Sequence, residues 1–469
     1  MKKLFAIRKL VVLVAVVLIL SFTVLTMAVA ESASSLLPVK NVIFLIGDGL
    51  GIGQILAARN ASVGLDGRLV LETLPEVALI NTHSLSENLI TDSAAAGSAL
   101  ATGYKTENGM VSVLPDETPV KTLLEAAQER GMATGLISTN TIYDATPATF
   151  GAHAKSRSMY EEITAQFLEK KIDVLLGGGK DRFLPAGVDV GKRKDGRNLI
   201  EEAEGLGYVY VDNATTLKLA KGDKLLGLFH KTYMNYVLDK DEYGVEFSEP
   251  TIGEMTEKAI EMLSKNQNGF FLMSEGARID HAAHAVDVAG VIAEVLAFDE
   301  AVKIALDFAK EDGNTLIVVT ADHETMGFDI TEPLDYEVLS KMKVTPEYMA
   351  LQLEKDDNGI FTAESIRKVF ADVKHAGITD LSEDEIAAIQ AASEEYSYKV
   401  GWEIGSVISA RANMGSMTTE VRALSPTGGH TANMVPLFAY GPGAEVFGGV
   451  LDNTDVARII ATLMGTTLD

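Results

Sequence analysis

Short, largely apolar runs separated by amphipathic stretches set the frame of this chain. The runs fall at residues 42–46, 134–137, 172–176, 270–273, 316–319 and 435–439. They lack strict alternation, as strands covered on both faces do. Residues 120–130 place Leu123, Leu124 and Ala127 on one side and stop at Gly131, a residue suited to a helix C-terminus. Ile292, Val295, Leu296, Val302, Leu306 and Ala309 mark a longer helix ending near Asp312 and Gly313, with one apolar stripe. Strand alternating with helix predicts an α/β fold: a mostly parallel central sheet with helices on both faces. Ligands of such sheets bind beyond the carboxyl ends of the strands.

Residues 333–422 break this rhythm. They are rich in Glu, Lys and Ala, and Ser382 with Glu385 has the spacing of a capping box. They read as a helical insertion between two segments of the core. Within them, residues 354–360 faintly resemble a calcium loop, but its twelfth position is Ser365, where that motif uses a bidentate Glu. A plain acidic turn is expected. At the other end, Lys2, Lys3, Arg8 and Lys9 precede an apolar stretch over 10–20, and Ala28, Val29 and Ala30 offer small residues. This pattern predicts a secretory signal over 1–30, cleaved near Ala30, and a periplasmic or extracellular mature chain over 31–469. An uncleaved segment would instead tether the chain to a membrane.

The chain has 469 residues, 47% of them hydrophobic, enough for a large packed domain. Its formal charge is −26, and removing residues 1–30 takes four cations and no acid, leaving −30. Such acidity argues against a nucleic-acid partner. There is no cysteine, which excludes disulfides, thiolate zinc sites and thiol catalysis. Any zinc must be held by Asp, Glu and His.

Those types gather at a few places. Asp48 lies in a glycine turn just past the first run; Glu275, then Asp322 and His323, lie just past two others. Asp280 and His284 stand four residues apart, on one face of a helical turn. His430 follows Gly428 and Gly429. Carboxylate with imidazole suits zinc, and carboxylate with hydroxyl suits magnesium. Ser93 opens an alanine-rich helix, whose N-terminus would favour a phosphate. Alone, Asp92 or Ser93 reads equally as an N-cap, and the glycine turn as a tight connection. Together, these sites are compatible with one edge of one sheet. A serine among such ligands suggests a metal-activated nucleophile.

In their order along the chain, these motifs resemble the alkaline phosphatase family, and its exported bacterial members in particular. They are Gly47-Asp48-Gly49, Asp92-Ser93-Ala94-Ala95, Asp144-Ala145-Thr146-Pro147, the segment from His153 to Arg157, the segment from Glu275 to His284, Thr320-Ala321-Asp322-His323 and Gly429-His430-Thr431. The resemblance implies phosphate monoester hydrolysis through a phosphoserine, two Zn²⁺ and one Mg²⁺ per subunit, and a homodimer. It places Asp280, His284 and His430 on one zinc, and Asp48, Asp322, His323 and Ser93 on the other. It places Asp48, Thr146 and Glu275 on magnesium, with Asp144 serving that site indirectly. Arg157 would bind phosphate, oriented by Asp92. His153 receives no ligand role. His281 stands where some bacterial members carry Lys and others His; it is assigned to the phosphate side.

Two other readings stay open at this stage. One is another two-metal hydrolase of the same superfamily, such as a phosphodiesterase; fold alone does not fix the reaction. A sulfatase is less well matched, because the residues after Ser93 lack that family's Pro and Arg. The other is an exported metal- or phosphate-binding protein without catalysis, in which Ser93 would have no purpose.

Overall fold

All six apolar runs fall in one sheet. The computed structural model describes residues 38–469 except 245–247 and 331; the signal expected over 1–30 lies outside the described residues. Strands are β1 (Asn41–Gly47), β2 (Glu76–Asn81), β3 (Ala133–Thr141), β4 (Val174–Gly178), β5 (Val209–Val211), β6 (Leu225–Leu228), β7 (Phe270–Gly276), β8 (Thr315–Thr320), β9 (Glu324–Thr325), β10 (His430–Thr431), β11 (Val435–Tyr440) and β12 (Gly449–Asp452). Ten form one sheet in the order β12-β2-β11-β8-β1-β7-β3-β4-β6-β5. Only β11 runs against its neighbours β8 and β2, so the sheet is mostly parallel, as expected. The strands of this sheet absent from the sequence reading are β2, β5, β6 and β12. β2 and β12 form one margin of the sheet, and β12 is half exposed.

The central strands are buried along their whole length. The register levels their ends: Ile46 lies beside Glu275 and beside Thr320, and Ser138 lies beside Glu275. Whatever follows β1, β7 and β8 therefore emerges at one edge. The helix Val288–Asp312 packs on β1, β7 and β8. Asp287 caps its start by accepting from the Gly290 N–H, and Gly313 ends it at φ 70°, where glycine adopts the left-handed conformation freely. The helix expected over 120–130 starts later, at Leu123–Glu129. Thr122 takes the N-cap and exchanges hydrogen bonds with Glu125, so the residues before it stay outside.

Residues 336–423 contain the helices Tyr336–Leu339, Pro346–Leu351, Ala363–Ala371, Glu383–Ala391, Ser397–Arg411 and Thr419–Ala423, and add no strand to the sheet. Ser382 and Glu385 make the anticipated capping box. At the calcium-like loop, the Asp356 carboxylate accepts from the N–H groups of Asn358 and Ile360, as in an ordinary acidic turn. The chain then returns as β10, which pairs His430 with Thr325 beside β9.

Candidate metal and phosphate site

Four chain segments converge at the carboxyl edge of the sheet. β1 hands over to Asp48 and then to Gly49 at φ 71°. A Cβ on Gly49 would sit 2.9 Å from the Asp280 Cα and 2.9 Å from the Thr325 Oγ1, so only glycine lets the turn close against its neighbours. The Gly49 N–H donates to Asp322 Oδ1 at 3.2 Å. His323 Nε2 lies 3.2 Å from Asp322 Oδ2 and 3.5 Å from Asp48 Oδ1. After β7, the helix Arg278–His284 sets Asp280 Oδ2 3.3 Å from His284 Nε2. β10 brings His430 Nε2 to 3.8 Å from Asp280 Oδ1 and 3.2 Å from His284 Nε2.

The outer nitrogens of these rings fix what the inner ones offer. His284 Nδ1 meets the Gly428 carbonyl at 3.0 Å, and His430 Nδ1 meets the Thr91 carbonyl at 2.9 Å. A carbonyl only accepts, so each Nδ1 carries the hydrogen and each Nε2 turns a lone pair inward. His323 Nδ1 lies 3.2 Å from the Thr325 hydroxyl, which itself donates to Asp280 Oδ1 at 2.6 Å. Two lone pairs 3.2 Å apart repel unless a cation or proton stands between them. Asp48 Oδ1, Asp322 Oδ2, Glu275 Oε1 and Thr146 Oγ1 are buried without a hydrogen-bond partner. Bare buried oxygens of this kind destabilise a fold unless something meets them. The donors of Asp48, Asp322 and His323 all lie within 4.8 Å of one another, as do those of Asp280, His323 and His430. The residues fit divalent cations in number, type and spacing.

Electrostatics point the same way. Burial, then repulsion from Asp322 and Asp280, pushes Asp48 well above the carboxylate range. Burial lifts Glu275 to about 8 and Asp322 to about 6. Burial also opposes ionisation of Asp280, but the imidazoles of His284 and His430 hold its carboxyl well below the usual range. Burial lowers His323 to about 4 and His430 to about 3. His323 and His430 are held neutral, and Asp48, Glu275 and Asp322 resist ionising together, as metal ligands do before the ion's charge arrives.

Ser93 lies beside this cluster. It is the first residue of the helix Ser93–Thr102, with Asp92 as N-cap accepting from the Ala95 N–H. Its Oγ is 3.3 Å from His323 Nε2. Arg157 reaches Asp92 Oδ2 at 3.3 Å and Asp144 Oδ2 at 3.0 Å. Burial weakens its charge, but Asp144 and Asp92 more than offset that and keep it protonated. Ser93, Asp92, Arg157, Asp280, His281, His284 and His430 line one cavity of about 500 Å³. His281 shows only part of its ring there; its Nδ1 accepts from Arg278 Nη1. Thr146 and Glu275 lie beneath, with Glu275 Oε2 accepting from Ser138 at 2.5 Å. His153 stands apart, bound to the Ser112 carbonyl and to Glu125, each at 2.9 Å. Sequence reasoning missed Thr325, Ser138 and Asn108, which hold the ligands and Asp92 in place.

The family described as alkaline phosphatase matches residues 39–466. The chain belongs to the alkaline phosphatase family. It is 38% identical over 434 residues to alkaline phosphatase 3 of Bacillus subtilis, covering 90% of this chain and 88% of that one. The crystal structure of Thermus thermophilus alkaline phosphatase superposes with a TM-score of 0.80 at 29% identity, covering 91% of this chain and 92% of that one. A variant of the TAB5 alkaline phosphatase, with Mg bound in its M3 site, superposes at 0.65 with 29% identity, covering 92% of this chain and all of that one. This family member is a phosphomonoester hydrolase with side-chain groups built for metal ions.

Proposed function

We propose that the protein hydrolyses phosphate monoesters through a phosphoserine at Ser93. The observation that carries the reading is the Ser93 hydroxyl lying 3.3 Å from His323 Nε2, the same nitrogen that lies 3.2 Å and 3.5 Å from the unpartnered oxygens of Asp322 and Asp48. One zinc would be held by Asp280, His284 and His430, the other by Asp48, Asp322 and His323 with Ser93. A magnesium would be held by Asp48, Thr146 and Glu275, with Asp144 beside it. When bound, these cations supply Lewis acidity, which favours the ionised hydroxyl and offsets phosphate charge.

The chain's own residues do the rest. Arg157 presents a planar fork to two unsubstituted phosphate oxygens, and Asp92 and Asp144 keep that fork aimed. The N-terminus of the Ser93 helix adds backbone N–H groups and a positive dipole end. Ser93 Oγ attacks phosphorus as the bond to the alcohol oxygen breaks. Water then attacks the phosphoserine and the Ser93–phosphorus bond breaks, releasing inorganic phosphate. Two in-line displacements leave the configuration at phosphorus retained. An aliphatic monoester left in water is among the slowest of substrates, and about 10²¹-fold acceleration has to be found. Export, supported by the pattern over 1–30, and homodimerisation, supported by the resemblance alone, belong to the same reading.

The test is an acid quench during turnover of a chromogenic monoester, followed by peptide mass spectrometry. Phosphate is expected on the Ser93 peptide and absent from Ser93→Ala. A Ser93→Ala enzyme at wild-type rate would overturn the reading.

A further inference from the structure

Three imidazoles line the phosphate cavity, those of His281, His284 and His430, and they do not present the same atom. His284 and His430 give their Nδ1 hydrogens to backbone carbonyls and turn Nε2 lone pairs toward Asp280. His281 is reversed. Its Nδ1 is met by Arg278 Nη1. A guanidinium stays protonated and can only donate, so Nδ1 holds the lone pair and Nε2 the hydrogen. That Nε2 is not sealed in the protein, and no group among the described residues bonds to it. Of the three rings, His281 alone offers the cavity an N–H.

Arg278 is held in place to do this. It is 3% exposed and stands three residues before His281 on the helix Arg278–His284, so the two side chains are neighbours. Its guanidinium lies over Tyr236 at 3.4 Å and Tyr233 at 4.5 Å, and ring faces of this kind attract a cation and fix its plane. Tyr233 also meets the His281 ring edge-on, with centroids 5.6 Å apart at 71°. None of the ion pairs within 4.0 Å among the described residues involves Arg278; Glu347 and Glu294 act on it from farther off. No carboxylate competes for Nη1, and the acceptor it finds is the imidazole. Tyr233, Tyr236 and Arg278 border a second cavity of about 300 Å³, which shares His281 and His284 with the first and is closed by Glu347, Tyr398 and Trp402 of the 333–422 helices.

We propose that Arg278 is a positioning residue: it locks His281 in the tautomer that cannot join the cations and that donates its Nε2 hydrogen to an oxygen of bound phosphate. The proposal rests on the monoesterase reading above. An inward lone pair at His281 would compete with Asp280, His284 and His430 for an ion. An N–H there repels a cation and attracts a phosphoryl oxygen. Arg157 meets the phosphate as a charge, and His281 adds a directional donor that brings none.

Two measurements on the metal-replete full-length protein test this. The first is long-range proton–nitrogen NMR of the histidine-labelled chain, with the His281 signals assigned by their loss in His281→Ala. Hydrogen on Nε2 and a bare Nδ1 are expected; hydrogen on Nδ1 would overturn the proposal. The second is affinity for inorganic phosphate, read by calorimetry. His281→Ala and Arg278→Met are each expected to weaken it by about ten-fold, as loss of one hydrogen bond to a charged acceptor does, with zinc content unchanged. Because Arg278 acts through His281, the double variant should bind no more weakly than His281→Ala. Losses that multiply, a loss in Arg278→Met that tracks lost zinc, or wild-type affinity in His281→Ala would each overturn the proposal. If a chromogenic monoester is not turned over, the hydrolase reading fails instead, and both measurements still decide what Arg278 and His281 do. Should Arg278→Met not fold, the tautomer and His281→Ala carry the test.

Discussion

The strand-end cluster and the 333–422 helices meet at the same place but are built differently. Asp48, Glu275 and Asp322 leave buried strands whose register fixes where they emerge. Glu347, Tyr398 and Trp402 come from helices that join no strand of the sheet and are half-buried or exposed. Atoms that need sub-ångström placement sit on the rigid frame, and the 333–422 helices supply none of the clustered carboxylates and imidazoles. The two halves should therefore fail in different ways when perturbed.

The largest effect falls on the strand ends. Chelation is expected to abolish turnover and phosphate binding together, and added Zn²⁺ with Mg²⁺ to restore both. Without cations an anion in the cavity would meet Asp280 in its wall and the buried carboxyls of Asp48, Glu275 and Asp322 near it. Tight phosphate binding by the stripped protein, measured by calorimetry, would contradict this. Next, Ser93→Ala is expected to lower kcat by at least about 10⁴-fold, as loss of a nucleophile does elsewhere, with secondary structure by circular dichroism unchanged. Arg157→Lys is milder. It keeps the charge but loses the fork, and about 10- to 100-fold in kcat/KM should follow. A change below two-fold would mean that Arg157 does not hold phosphate.

The helical half should respond in stability rather than in chemistry. Ser382→Ala removes one side of a capping box in the helix Glu383–Ala391, and about 1 kcal/mol of unfolding free energy should go with it. Turnover should hold, because Ser382 lies away from both cavities. The smallest effect tests where the two halves behave alike. Glu125 is held at about 2 against burial by His153 and Lys170, and Glu385 at about 2 chiefly by Arg411. Their ordinary value is 4.5. A carboxyl depressed on folding contributes stability above its unfolded value and loses it as the pH falls toward its folded one. Urea midpoints of Glu125→Gln and Glu385→Gln should therefore depend less on pH between 4.5 and about 2 than the wild type's. A dependence as steep as the wild type's would remove these two groups from the account of acid unfolding.

The sequence revealed the strand-end cluster because polar residues directly past apolar runs stand out, as Asp48 and Asp322 do. The six central runs stood out for the same reason. What lay hidden followed no period. Thr325 and Ser138 act through one hydroxyl each, and nothing in their neighbours marks them. β2 and β12 sit at the margin of the sheet, where burial is incomplete and alternation weak. The second cavity was invisible because Tyr233, Arg278 and Trp402 come from segments far apart in the chain, and only the folded return between β9 and β10 brings them together.

The chain has a single tryptophan, and it stacks on His284. Its fluorescence is thus a natural reporter for the cluster. Loading of the His284 ring with an ion alters the field across the indole, so emission read during a zinc titration would track occupancy without any attached dye. The thirteen tyrosines can be left unexcited by choosing a wavelength at the red edge of indole absorption, and the signal then comes from one ring stacked on His284.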